Sequence, residues 1–422
     1  MLASARLVRC VRFSLAALLL LLTHALSPSP VLAQTSDVIV AGDAAVTRYA
    51  PEPDGAVLQI IELDALGGDW SGKTGDAVSG LSVPASEIGQ VFGLALDDAT
   101  PPNIYATATS AHGLKVEGEG KDARWAPGQF GPEGGPGSIW KIDGTTGEVS
   151  LFANVELDGI ANSGPSLGNI AFDPVSEQLF VSDRDTGMIH RFDLDGNDLG
   201  HFDHGVDARP TTGLEALAFD PGNRLDIAAE ELDADDPTTW NYAAPARAVW
   251  GLAVNGGRLY YAVEGGPQVW SVSIGEHGEF GDDARLELDL PPDVSANPIA
   301  DIAFTADRKM VLAQRGGAFV SADGPQHHQG GDNAVIVFSP ELPADPETPS
   351  RWLPKPAFMP VGKTAPRRNA AGGVSLGHGY GEDSEIDGAA CMATLWATGD
   401  ALNATNSEII DGIGGQSGTS FE

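Results

Sequence analysis

A five-residue pattern, apolar-Ala-apolar followed in most copies by a polar turn, recurs along this chain and constrains its fold more than any other feature. Copies stand at Leu94-Ala95-Leu96-Asp97-Asp98, Ile170-Ala171-Phe172-Asp173-Pro174, Leu217-Ala218-Phe219-Asp220-Pro221, Leu252-Ala253-Val254-Asn255-Gly256 and Ile302-Ala303-Phe304-Thr305-Ala306. Their first positions are 76, 47, 35 and 50 residues apart. Self-similarity at roughly 40–50 residues is the spacing of propeller blades, each of which buries its face on the next. The 76-residue interval fits one such unit carrying a Gly/Pro-rich insertion near Ala111–Gly137.

The unit from Leu167 to Phe202 is the clearest. Ile170 to Phe172 reads as a first strand, turned by Asp173-Pro174. Gln178–Asp183 and Met188–Asp193 alternate as second and third strands around Asp185-Thr186-Gly187. Asp195-Gly196-Asn197 supplies a tight hairpin turn, because Gly and Asn tolerate positive φ. Four antiparallel strands in about 36 residues make a blade. Ser138–Asp143 with Gly147–Phe152, Arg258–Val263 with Gln268–Val272, and Met310–Ala313 with Ala334–Phe338 repeat its parts.

The five copies imply five blades. A sixth is expected to be split, with inner strands at Gly373–Leu376 and Ala393–Thr398 and an outer strand from the N-terminal Ala56–Glu62. Such closure removes a free sheet edge. The predicted fold is therefore all-β, a six-bladed propeller over residues 34–402, with seven blades as the alternative. Residues 403–422 read as a polar tail or the start of a continuation.

Residues 1–33 read as an export signal. Arg6, Arg9 and Arg12 precede an apolar stretch from Phe13 to Leu26, and Val31-Leu32-Ala33 offers a cleavage site before Gln34. The apolar run is short for a spanning helix. Cys10 lies before the apolar core, which argues against a lipoprotein. The expected location is periplasmic or extracellular. Loss of Cys10 leaves Cys391 alone in a small, apolar setting, predicted to be buried packing.

The chain carries 24 basic and 59 acidic residues, a formal charge of −35. Such a field repels nucleic acid and anionic lipid, which bind clustered Lys and Arg.

The run Leu179 to Gly196, with its Ser182-Asp183-Arg184-Asp185-Thr186-Gly187 core, resembles NHL and YWTD propeller repeats. It is similar to the six-bladed gluconolactonase and calcium-dependent phosphotriesterase-like superfamily, which holds metal-dependent lactonases, strictosidine-synthase-like enzymes and pure binding modules. The resemblance implies metal ligands two residues before each apolar-Ala-apolar copy. Those positions are Phe92, Gly168, Glu215, Trp250 and Ala300, and only Glu215 suits a cation that wants six to eight oxygens. One residue on, Asn169 and Asp301 are polar, while Gly93, Ala216 and Gly251 are small. Asn169, Glu215 and Asp301 are thus the candidate channel-mouth residues.

Other constellations are weaker. Glu230, Glu231, Asp233, Asp235 and Asp236 form an acidic loop that is a candidate calcium site. Asp193, Asp195, Asn197 and Asp198 miss the EF-hand spacing, and His327-His328 lacks a third ligand. No nucleophile elbow, zinc motif or phosphate loop is present. The expectation is a non-catalytic binding or scaffold module of a bacterial cell envelope or exterior, taking protein or glycan through the loops Ala111–Gly137, Glu230–Ala246 and Gly316–Asp332. The alternative is a metal-dependent hydrolase.

Overall fold

A computed structural model describes residues 38–63, 78–234, 236–291, 294, 297–315, 333–341, 350–362, 367–380, 386–387, 389–405 and 408–417. Six antiparallel sheets follow one another along it. The first joins Asp43–Thr47, Ala56–Glu62 and Val78–Pro84. The second holds Val91–Leu96, Ile104–Ala108, Ser138–Ile142 and Val149–Asn154. The third is Leu167–Asp173, Gln178–Asp183, Met188–Asp193 and Asp198–Asp203. The fourth is Val249–Asn255, Arg258–Val263, Gln268–Ser273 and Arg285–Asp289. The fifth is Ile299–Phe304, Met310–Gln314, Val335–Phe338 and Ala357–Met359, and the sixth Ala370–Gly377, Thr394–Thr405 and Glu408–Ser417. Leading strands of successive sheets touch, which makes them the inner strands of a ring. The chain is a six-bladed β-propeller.

Blades are held together by apolar side chains that alternate onto both sheet faces. Val57, Leu58 and Ile60 of the first pack on Ile104, Ala106, Trp140 and Ile142 of the second. Phe180 and Ile189 of the third meet Leu259, Tyr261 and Trp270 of the fourth. Tyr260 and Val269 meet Ile302, Met310 and Leu312 across the next interface. Each fully buried side chain of this size contributes roughly 1.5–3 kcal/mol relative to exposure. The Tyr380 hydroxyl donates to the Leu63 carbonyl (2.9 Å), tying the sixth-blade region to the end of the first sheet.

Six is the expected number, but the blades are assigned differently. Ala56–Glu62 does not complete the last blade; it is the middle strand of a first blade of its own. Leu217–Pro221 forms no strand, and Ala218 and Asp220 are exposed. The segment after it, Asn223-Arg224-Leu225-Asp226-Ile227-Ala228-Ala229-Glu230, has one β-branched residue and no alternation. It offers Leu217–Phe219 no hairpin partner. Part of the expected tail is also strand, since Glu408–Ser417 pairs along Thr394–Thr405. Cys391 is exposed rather than buried, because it sits in a turn after the small hairpin of Gly379–Tyr380 with Ile386–Asp387.

Alternation of strand direction fixes the loops. The second-to-third-strand loop of a blade and the connection to the next blade open on one face of the ring. Residues 109–137 are the first kind and 204–248 the second, so both insertions rise from the face where the inner strands begin.

Candidate functional site

Five of the six inner strands, those of the second to sixth blades, share a defect at that face; the first pairs in unbroken register. Pairing with the second strand slips between Val91 and Leu94, Leu167 and Ile170, Val249 and Leu252, Ile299 and Asp301, and Ala370 and Val374. A bulge turns the residues within it out of the ladder. Side-chain hydroxyls take up the freed groups. Thr107 Oγ1 accepts from Gly93 N (3.1 Å) and donates to the Gly168 carbonyl of the next blade (2.8 Å). Ser182 Oγ accepts from Asn169 N (2.9 Å) and donates to the Trp250 carbonyl (2.8 Å). Thr398 Oγ1 accepts from Gly373 N (2.9 Å).

The bulges present two layers to the axis. In the first, the Phe92 and Trp250 rings meet at a tilt of 55°, 5.4 Å between centroids, and pack with Ala111 and Ala300. Their neighbours must be small. A Cβ on Gly168 would stand 3.0 Å from Trp250 Cδ1, and one on Gly372 would stand 3.1 Å from Phe92 Cζ. Gly372 also has φ of +96°, where a side chain is strained. Phe92, Gly168, Trp250 and Ala300 are four of the five positions where the family resemblance implies metal ligands. Here they hold aromatic rings and the gaps those rings fill.

In the second layer the sizes invert. Asn169 Nδ2 donates to Asp301 Oδ1 (2.6 Å) and to the Ala300 carbonyl (3.3 Å). Asp301 also accepts from Ile302 N (2.8 Å) and, across to the sixth blade, from Val374 N (2.9 Å). Gly251 lies between them; its Cβ would come 3.0 Å from Asp301 N. A Cβ on Gly93 would come 2.8 Å from Asn169 Cα. Asp301 keeps a little exposed surface, yet burial pushes its carboxyl up to about 7 against the three donors that pull it down.

The structure therefore brings Asn169 and Asp301 together and leaves Glu215 out. Glu215 is exposed on the 204–248 insertion, where its carbonyl accepts from Arg209 Nε (2.9 Å). Glu230, Glu231, Asp233 and Asp236 are exposed, and the Asp236 carboxylate caps the turn at Thr238 (2.8 and 3.0 Å). Among the described residues, no three His, Cys, Asp or Glu side chains converge to hold a metal. Asp235, His327-His328 and Gly316–Asp332 lie outside the described residues.

Sequence reasoning missed what the insertions do together. Leu114 and Phe130 of one, with Ala108 at its root, and Leu225 and Trp240 of the other form a shared core, flanked by Trp125, Ile227, Leu232 and Tyr242. Trp240 is buried, with Nε1 donating to the Asp233 carbonyl (2.9 Å), so it is not the exposed loop aromatic its setting suggests. The two insertions fold as one cap. Beneath it lies a buried polar layer. Arg224 bridges to Asp185 (2.6 Å) and Arg247 to Asp203 (3.0 Å). Burial, then the Asp183 charge, lift the Asp185 carboxyl to about 6. Burial and the nearby Arg209 and Arg247 hold His204 down at about 3, so it stays neutral. Arg184 is sandwiched between Trp250 (4.0 Å from the ring centroid) and Tyr242 (5.0 Å). On the other flank, Arg315 lies 5.3 Å over Phe92 and donates to the Ala111 and Ala371 carbonyls. The only early signal for Arg184 was its place in the repeat-like run.

No protein-family model matches the chain, and no curated protein matches it significantly. Solved structures of similar shape include a nidogen/laminin complex, at 14% identity over 68% of this chain and 86% of that one, with TM-score 0.34. Another is a putative oxidoreductase (glucose dehydrogenase) from Thermus thermophilus, at 14% identity over 86% and 91%, with TM-score 0.41. Among the described residues, no helix is long and apolar enough to cross a membrane.

Proposed function

We propose that this chain is an exported, non-catalytic binding propeller of a bacterial envelope or exterior, and that the two-insertion cap is its recognition surface. One observation carries the reading. Four of the five positions where a metal-dependent propeller hydrolase would gather carboxylates hold the Phe92–Trp250 pair with Gly168 and Ala300, and Gly372 of the sixth blade closes on Phe92 beside them. Binding through the cap needs no open axis. Loops set on a rigid scaffold are where recognition is usually placed, and this cap has its own core to hold it in shape. The partner is a protein or a glycan reached outside the cell. The acidic exterior of the cap, at Glu230, Glu231, Asp233 and Asp236, favours a partner with basic groups over one with anionic groups.

Calcium titration by calorimetry, with melting in calcium and in chelator, tests the reading. The expected result is no tight site at the axis and no dependence of melting on chelator. A tight site abolished by Glu215→Ala or Asp301→Asn, together with lactone or phosphotriester hydrolysis, would reverse the proposal in favour of a metal-dependent hydrolase.

A further inference from the structure

Under the cap, one arginine breaks the rule its neighbour obeys. Arg247 is buried, and every guanidinium nitrogen has a partner: Nε on the Thr186 carbonyl, Nη1 on the Leu217 carbonyl and Nη2 on Asp203. Arg184 is just as buried, 1% exposed, but only Nη2 is engaged, at 2.7 Å from Glu264 Oε1. Its Nε and Nη1 have no acceptor among the described residues. The ring of Trp250 that covers one face of this guanidinium also holds a buried Nε1 without an acceptor. Three unsatisfied N–H donors thus meet at one spot, beside a single buried acceptor, Glu264 Oε1, whose contact with Nη2 is an ion pair without hydrogen-bond alignment and which reaches none of the three.

Buried donors in folded proteins find acceptors, from the chain, from water or from a ligand. Both faces of the Arg184 guanidinium are closed, by Trp250 below and Tyr242 above. A partner can approach only at its edge, in the plane where N–H bonds point. The roof is thin. Tyr242 and Glu264 both keep exposed surface, and Tyr242 is fastened by its hydroxyl to Ser110 Oγ (2.7 Å) on the other insertion. Parting that clasp would open a path from solvent to the bare donors.

We propose that Arg184 and Trp250 form a binding site for a small oxyanion of the carboxylate or phosphate class, with Tyr242 as its roof. A guanidinium between two aromatic rings is pre-organised for such a group, since the rings fix its plane and exclude water from its faces. Glu264 is the built-in competitor, an internal carboxylate already holding one corner of the same guanidinium. The site is separate from the cap's outer surface and does not depend on which macromolecule the cap binds.

The test uses the whole mature chain with inorganic phosphate, sulfate and acetate as probes, in calorimetric titration and thermal melting, with chloride as control. Saturable binding of at least one oxyanion is expected. Arg184→Lys, which keeps the charge but loses the guanidinium edge, should weaken it tenfold or more. Glu264→Gln should tighten it several-fold, an outcome that a purely structural ion pair would not give. Should Arg184→Lys fail to fold, a crystal structure of the unmodified chain with and without the tightest probe decides the matter. Oxyanion density at Arg184 supports the site. Density for water alone, no saturable binding, or binding that Arg184→Lys leaves unchanged would overturn it.

Discussion

The two layers at the propeller axis are one residue apart and chemically opposite. In the outer layer the second and fourth blades supply Phe92 and Trp250, and the third, fifth and sixth supply Gly168, Ala300 and Gly372. In the inner layer the third and fifth blades supply Asn169 and Asp301, and the second, fourth and sixth supply Gly93, Gly251 and Gly373. Each blade from the second to the fifth is large in one layer and small in the other. The reason is space. Inner strands converge so closely that a single Cβ at Gly93 or Gly251 would press on the neighbouring backbone. A ring of this diameter therefore closes its axis by alternation, with apolar contact in one layer and hydrogen bonds in the next.

The sharpest way to break this pattern is to put bulk where it requires none. Gly93→Val places a branched side chain against Asn169 Cα and the Gly168 carbonyl, both backbone atoms that cannot swing away. Overpacking of this kind should cost about 3 kcal/mol. Denaturant unfolding checks it, and a change below about 1 kcal/mol, the low end for overpacking, would show that the strands are further apart than the account holds. Gly168→Ala is milder. Its Cβ meets Ser182 Oγ at 2.4 Å, the Trp250 ring edge at 3.0 Å and Trp250 Cα at 3.2 Å, so one methyl forces two buried side chains to shift but adds no branched bulk. A loss of about 1–2 kcal/mol is expected.

The polar layer has a pH signature that the aromatic layer lacks. The Asp301 carboxyl is raised to about 7, above its unfolded value near ~4, so the folded state holds that proton more tightly. Its contribution to stability is complete below about pH 4 and is lost as pH rises through about 7. Asp301→Asn removes this titration. The stability of the variant minus that of the wild type should therefore grow with pH across that window, by on the order of 1–3 kcal/mol, whatever constant offset the amide adds. Parallel melts from about pH 4.5 to 8 measure the difference, and a flat difference would mean that Asp301 is already ionised at low pH. The smallest effect belongs to Glu215→Ala. The side chain is exposed and outside both layers, so stability should move by less than about 0.5 kcal/mol.

Much of this was legible in the sequence because propeller blades are local. The Leu167–Asp203 blade shows clean alternation, and its Asp195-Gly196 turn has φ of +86° at Gly196, the backbone the turn chemistry requires. Asn169 and Asp301 were legible as well, since equal register in two blades aims equal positions at one axis. Glu215 was misplaced by the same logic, because Leu217-Ala218-Phe219 copies the inner-strand pattern without a second strand to pair with. The first blade was hidden because Asp43–Thr47 is short and small-residued and closes on a hairpin partner only a short loop later. Trp250 and Phe92 stood out only as residues that do not bind metal; that they fill the axis depends on glycines from other blades. Arg184 was invisible as a buried group, since its burial comes from a distant insertion that carries Tyr242.

The most direct measurement on the closed axis is the melting of Trp250→Ala with and without added indole. Removing a fully buried tryptophan from a packed layer should cost about 3–5 kcal/mol and leave a cavity lined by Phe92, Ala111 and Ala300, with the Arg184 guanidinium on its remaining side. Indole should fill that cavity and recover part of the lost melting temperature, while leaving the unmodified chain unchanged. A loss below about 1 kcal/mol that indole does not alter would contradict the account and mean that the axis is open to water.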